Sequence, residues 1–258
     1  MNSNLWSFAL AVARRNVSAA VRDPALWVPP IAFPVFSLIA LAGGLSRLDQ
    51  LPGFGYPAGY TAFQFGFSVV QVACFGGVFL GLAVAGDFES GFMRRLMLAS
   101  GWREAILLGY TLAALGRFVI TMAIVFLIAV AGGMQVLGDA GDLAMLLALG
   151  LLITAASFLF AAGVAMRVRS LDAGGFMLMP IFTLLFLAPV YVPATLLSGW
   201  LGAAASVNPM TAFLEGSRSL LAGGTGGVTG AIALAVVGAL LLLAYAVRGL
   251  RKAQTAGA

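Results

Sequence analysis

Long apolar segments, separated by short polar or Gly- and Pro-containing stretches, dominate this chain. A helix needs about 20 residues to cross the hydrocarbon core of a bilayer. The pattern predicts six such helices, at residues 25–44, 60–86, 105–133, 143–166, 174–191 and 228–247. The second and third are longer than a crossing requires, so we expect them to tilt or to project from the membrane. The expected fold class is an all-α integral membrane protein with six transmembrane helices, forming one domain over residues 1–258.

Residues 1–23 have the pattern of an amphipathic helix rather than of a span. Apolar residues recur there at helical spacing, while Arg14, Arg15 and Asn16 occupy the other face. An amphipathic helix of this kind is typical of the membrane interface, and we favour that placement over an ordinary solvated helix. The pair Asp23–Pro24 is expected to end it, because proline disfavours the α conformation in the residue before it.

The composition and the charge pattern agree with a membrane protein. Hydrophobic residues make up 62% of the chain and charged residues 9%, whereas soluble domains have about 45–50% and about 25%. Eleven of the fourteen Lys and Arg residues fall in the N-terminal segment, the second-to-third loop, the fourth-to-fifth loop and the C-terminal tail. These segments alternate along the chain. The positive-inside rule therefore predicts cytoplasmic termini and an even number of spans.

The residues that are missing exclude several classes of chemistry. The chain has no His, a single cysteine, Cys74, and a single lysine, Lys252. An intrachain disulfide, a Cys/His metal site and a nucleophile activated by an imidazole are therefore excluded. The phosphate-binding pattern G-x-x-x-x-G-K-[ST] is absent as well. We predict that this chain binds no metal, no cofactor and no nucleic acid, and that Cys74 is a small buried hydrophobe.

The polar segment 87–104, between the second and third spans, is predicted to form an amphipathic helix parallel to the membrane. Its apolar residues have helical spacing, and its charged residues lie on one face. The pattern alone leaves two interpretations equal. The helix either offers a surface to a cytoplasmic partner or rests on lipid headgroups.

Segment 192–227, between the fifth and sixth spans, is too broken by Pro and Gly to cross the bilayer as one helix. We expect short extracytoplasmic helices that re-enter the membrane edge. Asn208 is predicted to cap the helix that begins at Pro209, and the glycines at 223–224 are predicted to close it. The segment is either a capped structural hairpin or a gate at the exit.

Three charged residues stand out in or beside the spans. Glu215 and Arg218 are three residues apart on the predicted helix and can pair; an exposed pair of this kind contributes about 0–1 kcal/mol. Arg117 lies within the third span, where a charge is costly and suggests a functional site. We favour the alternative that Arg117 extends to the cytoplasmic headgroups.

The layout and two of these segments resemble the ABC-2 type transporter permeases over nearly the whole chain. The first segment is similar to the family pattern acidic-x-Glu-x-Gly-x-x-x-x-Leu, through Asp87, Glu89, Gly91, Leu96 and Leu98. The second segment is similar to the family pattern between the fifth and sixth spans, through Pro193, Trp200, Leu201, Asn208, Pro209, Thr211, Glu215, Arg218, Leu220 and Gly223. This combination most resembles the branch of the daunorubicin-resistance permeases of bacteria.

The departures from the family pattern are local. Phe88, Ser90 and Phe92 stand where the family usually has Arg, Arg and Thr. Ser198 stands where it usually has a second proline.

The resemblance implies a transmembrane subunit of an ATP-binding-cassette exporter that is not itself an enzyme. It implies a dimer with a second copy or a related permease, and two cytoplasmic ATP-binding subunits that bind ATP and Mg²⁺. The segment 87–104 would be the coupling helix, with Asp87, Glu89, Gly91, Arg94, Arg95 and Leu96 as its contact residues. The substrate would be a hydrophobic or amphipathic drug, lipid or lipid-linked glycan, exported across the bacterial cytoplasmic (inner) membrane.

Two other classes compete with this interpretation. An ion-coupled secondary transporter usually carries ionisable groups at the midplane and inverted repeats; here Arg117 is the only charge inside a span, and the halves show no repeat. An intramembrane enzyme would need a catalytic group of residues on facing helices. The absence of His and of paired carboxylates within the spans argues against it.

Overall fold

The computed structural model of the chain describes residues 3–22, 28–99 and 103–255, and every regular element in these ranges is helical. The described residues form ten α-helices. They are α1 (Ser3–Arg22), α2 (Val28–Gly44), α3 (Gly59–Glu89), α4 (Phe92–Ala99), α5 (Arg103–Ala131), α6 (Ala140–Val168), α7 (Gly174–Phe186), α8 (Gly199–Val207), α9 (Pro209–Leu221) and α10 (Val228–Thr255). Short 3₁₀ turns lie at Ser46–Gln50, Leu171–Ala173 and Ala194–Leu196.

Helix α3 is the central helix of the bundle and packs against α2, α5, α6 and α9. Its closest neighbour is α6, because Gly77 and Gly81 leave no side chain between the two backbones. A Cβ atom at Gly81 would lie 2.2 Å from the Cβ of Ala161, and one at Gly77 would lie 2.6 Å from the backbone nitrogen of Phe158. Close helix contact through small residues is the usual way to gain packing energy in lipid.

Two further pairings complete the bundle. Helix α6 also packs against α10, and α1 lies against α5. The apolar face of α1 therefore covers protein, with Ala9 and Val12 buried against Gly109 of α5. Asn16, which was expected on the polar face with the arginines, is also buried, and its amide donates to the carbonyl of Val12 at 3.0 Å.

Four helices are long and apolar enough to cross a membrane: α3, α5, α6 and α10. Helices α2 and α7 are apolar but have only 17 and 13 residues, which at about 1.5 Å per residue is shorter than the roughly 30 Å hydrocarbon core. Each of the two contains an internal proline, Pro34 in α2 and Pro180 in α7. The part of the chain that the structure describes therefore has four candidate spans by length, rather than six.

The expectation of one continuous helix over 87–104 is wrong. Helix α3 runs on to Glu89, so that Asp87 and Glu89 belong to its last turn. Gly91 then adopts φ +71°, a conformation that glycine tolerates and that ends the helix. Helix α4 covers only Phe92–Ala99, and α5 begins at Arg103; residues 100–102 lie outside the described ranges.

Other helix boundaries differ from the pattern in ways that the chemistry explains. Helix α7 ends at Phe186, five residues before the predicted limit, and the chain continues without helix through Pro189. Helix α10 continues to Thr255, because its basic C-terminal turns are good helix formers in water. Helix α6 begins earlier than predicted, at Ala140, where Asp139 and Asp142 form a capping box. The pair Asp23–Pro24 lies outside the described residues.

Two groups of contacts between helix termini define the two ends of the bundle. At one end, Arg15 pairs with Asp87, Glu89 accepts a hydrogen bond from Leu171, and Arg169 donates to the carbonyl of Lys252. We call this the basic end, because the four arginine-rich segments of the sequence lie there. At the opposite end, the backbone nitrogen of Leu137 donates to Leu221, Tyr56 to Arg218, and Tyr60 to Tyr191.

Candidate functional site

Asp87 organises the first candidate site, at the basic end. Its two carboxylate oxygens each accept a hydrogen bond from Arg15 of α1, both at 3.0 Å. The hydroxyl of Tyr110, on α5, donates to the same carboxylate. The Asp87 side chain is only 14% exposed, and its hydrogen bond raises the pKa of Arg15. One carboxylate therefore joins the ends of α1, α3 and α5.

The same arginine also reaches α4. Its guanidinium lies 3.7 Å from the centre of the Phe92 ring, within the range of a cation–π contact. Phe92 is the first residue of α4 and follows the break at Gly91. We use the name Asp87 clamp for Arg15, Asp87, Phe92 and Tyr110, which together hold α1 against the joint between α3 and α4.

The remaining predicted coupling residues divide into two groups. Glu89 points back to the bundle and accepts a hydrogen bond from the backbone nitrogen of Leu171 at 3.0 Å. Leu96 is half-buried against the core. Arg94 and Arg95 are exposed, and Leu98 is 81% exposed. Helix α4 therefore presents cations and one apolar side chain outward, whereas the acids of the motif bind within the chain.

Arg218 organises the second candidate site, at the opposite end. It is 2% exposed and donates to the carbonyls of Phe63 at 3.3 Å, Pro189 at 2.8 Å and Val190 at 3.1 Å. Its guanidinium also lies 3.4 Å from the centre of the Phe63 ring. We call this group the Arg218 anchor. It fixes α9 to the start of α3 and to the non-helical segment after α7.

The predicted pair of Glu215 with Arg218 is present, at 3.1 Å, but only Glu215 is on the surface, with 42% of its side chain exposed. The arginine itself is buried, so the low contribution of an exposed pair does not describe this contact. Burial lowers the pKa of Arg218 to about 10, so the guanidinium still carries its charge at neutral pH. Most of its hydrogen bonds are to backbone carbonyls. Its main role is therefore to join these backbone segments rather than to form an ion pair.

Asn208 caps two helices at once. Its side-chain oxygen accepts from the backbone nitrogen of Met210 at 3.0 Å, which confirms the predicted N-cap of α9. Its amide nitrogen donates to the carbonyl of Leu184 in the last turn of α7, at 2.6 Å. At the other end of α9, Gly223 has φ +74° and forms the predicted glycine closure. The ends of α7 and α9 are thus joined by one side chain.

Two other residues of this motif lie apart from the anchor. Pro193 precedes the 3₁₀ turn Ala194–Leu196, and Trp200, on α8, is 76% exposed. Neither forms a hydrogen bond with Arg218 in the described structure.

Arg117 differs from its expected placement. Its side chain is 6% exposed, so the preferred interpretation, in which it reaches out to the headgroups, is wrong. The residue is an arginine buried among the helices, which is the arrangement that usually marks a functional position in a membrane protein.

Sequence reasoning missed the aromatic partners of both sites. Tyr110 and Phe63 lie within apolar spans, where an aromatic residue gives no sign of a polar contact. Arg15 was recognised only as part of a polar face, because its partner lies 72 residues away. An arginine on a short amphipathic helix and an acid at the end of a span are the two signals that together suggest such a pair.

We expect Asn208→Ser to keep the N-cap of α9 but lose the bond to Leu184, and Asn208→Ala to lose both. Removing an N-cap costs about 0.5–2 kcal/mol. An unsatisfied buried carbonyl costs about 1–3 kcal/mol, and the half-buried carbonyl of Leu184 costs less than a fully buried one. The apparent melting temperature in mild detergent should therefore fall in the order wild type, Ser, Ala. A serine variant as stable as the wild type would show that capping α9 is the whole role of Asn208.

The four long apolar helices define the chain as a multi-pass membrane protein. The chain belongs to the ABC-2 type transporter family, which matches it over residues 8–222. It is also similar to the daunorubicin resistance ABC transporter permease protein DrrB1 of Streptomyces coeruleorubidus. The two share 25% identity over 214 residues, which cover 78% of this chain and 75% of the relative. These findings confirm the family, and they include a relative of the branch that the motifs suggested.

Proposed function

We propose that the chain is the transmembrane permease subunit of an ATP-binding-cassette exporter, powered by separate ATP-binding subunits. The observation that carries the proposal is the family match, which covers the first motif segment and the second up to residue 222. ATP-binding subunits are the partners that membership of this family implies. Because the relative is named as a daunorubicin resistance permease, we propose a hydrophobic or amphipathic substrate moved out of a bacterial cell.

We propose six crossings, with both termini in the cytoplasm and the basic end on the cytoplasmic side. The path of the chain after α7 supports this number. The 3₁₀ turn before α7 contacts Glu89 at the end of α3. After α7, the carbonyls of Val190 and Tyr191 accept hydrogen bonds from Gln64 and Tyr60, respectively, at the start of α3. The segment from Gly174 to Tyr191 therefore runs the full length of α3, although only part of it is helical.

The second short helix supports the same count. Phe33 of α2 contacts Phe75 of α3, and Leu45, which follows α2, packs beside Tyr60 and Phe63. Helix α2 thus runs antiparallel to α3, and its C-terminus lies beside the start of α3, at the end of the bundle opposite the basic end. Prolines such as Pro34 are tolerated inside spans where neighbours satisfy the freed backbone groups.

We propose that α4, rather than the whole segment 87–104, contacts the ATP-binding subunit. Its outward residues Arg94, Arg95 and Leu98 offer positive charge and an apolar side chain at the basic end. The Asp87 clamp then connects a displacement of α4 to α3 and α5. A second copy of the chain or a related permease completes the transporter in this proposal, and Asp87 and Glu89 act by holding α4 rather than by contacting the ATPase.

The test is to co-express the tagged chain with an ATP-binding protein encoded beside its gene. Co-purification, ATPase activity and transport in vesicles are then measured. We expect Glu89→Gln combined with Gly91→Val to reduce transport at least about tenfold while the complex still assembles and hydrolyses ATP. The valine strains the joint, because φ values near +71° are costly for a β-branched residue.

The matched control for the glycine is Gly133→Val. Gly133 also has a positive φ, +83°, and open space around a new Cβ, but it lies beyond the other end of α5. It should lower stability to a similar degree without uncoupling the ATPase. Wild-type transport in the Glu89/Gly91 variant, or equal loss in the control, would contradict a coupling role for this joint.

A further inference from the structure

A cavity of about 350 Å³ opens between α6, α7, α9 and α10. Its lining includes no residue of the Asp87 clamp or of the Arg218 anchor, but it includes Leu184 and Met210, to which Asn208 forms hydrogen bonds. Its volume is within the range of about 300–1,000 Å³ that is common for ligand pockets. Its wall includes Ile153 and Phe160 of α6, Pro180 of α7, Phe213 of α9 and Gly238 of α10. Helix α10 carries exposed apolar side chains beside it, including Leu241 at 68%, so the cavity opens on a flank of the bundle.

The chemistry of the wall points to a hydrocarbon chain rather than to a drug-like molecule. Among the described residues of the lining, Ser157 contributes the only side-chain hydroxyl group. Pockets for compact ligands carry a few polar groups that fix the ligand's orientation. A saturated acyl chain needs none, and an apolar cavity of this kind excludes charged groups.

The faces of α6 and α10 that line the cavity continue toward the basic end. On α6, Arg167 lies about two turns beyond Phe160, and on α10, Tyr245 lies about one turn beyond Leu242. The two continuations meet, because the Arg167 guanidinium lies 3.8 Å from the centre of the Tyr245 ring and donates to the Tyr245 carbonyl at 3.0 Å. The apolar cavity is thus followed by a cation at the point where α6 and α10 approach the basic end.

Further cations lie on the same ends of α6 and α10. Arg248 and Arg251 are exposed on α10, and Arg169 donates to the carbonyl of Lys252 at 3.3 Å, which holds the two helix ends together. The carboxylates on the adjoining elements are Asp172, which is exposed, and Glu89, which accepts from Leu171. The local balance is therefore positive, and basic pockets between spans on this side are suited to anionic headgroups.

We propose that this groove is a binding site for an anionic membrane phospholipid, with an acyl chain in the cavity and the phosphate at Arg167, Arg248 and Arg251. One elongated molecule satisfies both halves of the groove, since its apolar chain matches the lining and its phosphate matches the cations. The lipid stabilises the packing of α7 and α10 against α6. This role does not depend on the direction of transport or on the exported substrate.

The first experiment blocks the cavity. Purified chain is incubated with phosphatidylglycerol or phosphatidylcholine of the same acyl composition, and retained lipid is counted by native mass spectrometry. Gly238 lines the cavity, and a Cβ placed there meets nothing within 4 Å, so Gly238→Leu fills the space without moving the backbone. We expect it to lower retention of phosphatidylglycerol several-fold. Gly230→Leu is the control, because Gly230 is equally open on the same helix but lies outside the cavity.

The second experiment removes the headgroup contacts. The double variant Arg248→Gln, Arg251→Gln should reduce phosphatidylglycerol retention to the level of phosphatidylcholine, whereas Arg22→Gln, an exposed arginine on α1, should not. Equal retention of the two lipids by the wild-type chain would overturn the proposal, as would equal effects of the Gly238 and Gly230 variants. A Gly238→Leu chain that changes its oligomeric state but not its bound lipid would also overturn it, and would assign the groove to a partner protein.

Discussion

An Asp87→Asn variant is expected to assemble with its ATP-binding partner but to lose at least about tenfold in transport. Asn has the same size as Asp but no charge, so it breaks the two-point contact in which each Asp87 carboxylate oxygen accepts a hydrogen bond from one Arg15 guanidinium nitrogen at 3.0 Å. Hydrogen bonds to charged groups contribute about 1.5–3 kcal/mol, and part of this is lost to solvent because Arg15 is 42% exposed. A loss of only about 1.4 kcal/mol in the coupling free energy is enough for a tenfold reduction in transport.

The expected loss is in coupling, because the clamp joins α1, α3 and α5 at the point where α4 begins. Transport and ATP hydrolysis by the same complex in vesicles are the quantities to compare. Arg15→Gln should behave like Asp87→Asn, and the double variant should be no worse than either single one, since both remove the same bond. Arg14→Gln is the control, because Arg14 is the exposed neighbour on the same helix. Additive losses in the double variant would contradict a shared clamp.

Arg218→Ala is expected to have the largest effect on stability, at least about 3 kcal/mol. The substitution removes the donor that serves the carbonyls of Phe63, Pro189 and Val190, and each unsatisfied buried acceptor costs about 1–3 kcal/mol. It also removes the contact with the Phe63 ring, which is worth about 2 kcal/mol when it is shielded from water. At roughly 2–4 °C per kcal/mol for a chain of this size, a loss of this size lowers the apparent melting temperature by at least about 6 °C.

Two companion variants separate an anchor from an ion pair. Glu215→Gln removes the charge partner but leaves the carbonyl contacts, and it should change stability by less than about 1 kcal/mol because Glu215 is 42% exposed. Arg218→Lys keeps the charge but not the planar fork of donors, so it should lose more than half of the stability lost in the alanine variant. If Glu215→Gln were as damaging as Arg218→Ala, the ion pair would be the important contact and the anchor interpretation would be wrong.

The local features of the second site could be predicted because the groups involved are close in sequence. Asn208, Pro209 and Gly223 mark the beginning and the end of α9, and all three have the predicted backbone roles. Capping depends on backbone groups within a few residues, so the pattern contains the information. The bond of Asn208 to Leu184 was not predicted, because it spans 24 residues and depends on where α7 ends.

The errors at the first site have a similar origin. The apolar spacing of 87–104 continues through Gly91, so periodicity alone predicted one helix. The glycine itself is the signal that the helix ends, since glycine just past a helix C-terminus with a positive φ is a common stop. The inward turn of Asp87 depends on Arg15 and Tyr110, which come from two other helices, and no local pattern records that.

The sequence by itself determined the class of the protein, the positions of its long apolar helices and the alternation of basic segments. The bilayer imposes these features on every stretch of chain separately, through the need to bury apolar side chains and to pair backbone groups. The tertiary structure alone decided the burial of Arg117 and Arg218, the partners of Asp87 and the break that isolates α4. These features depend on contacts between distant segments, for example Arg218 with the carbonyl of Phe63, 155 residues away, and such contacts exist only when the helices have packed.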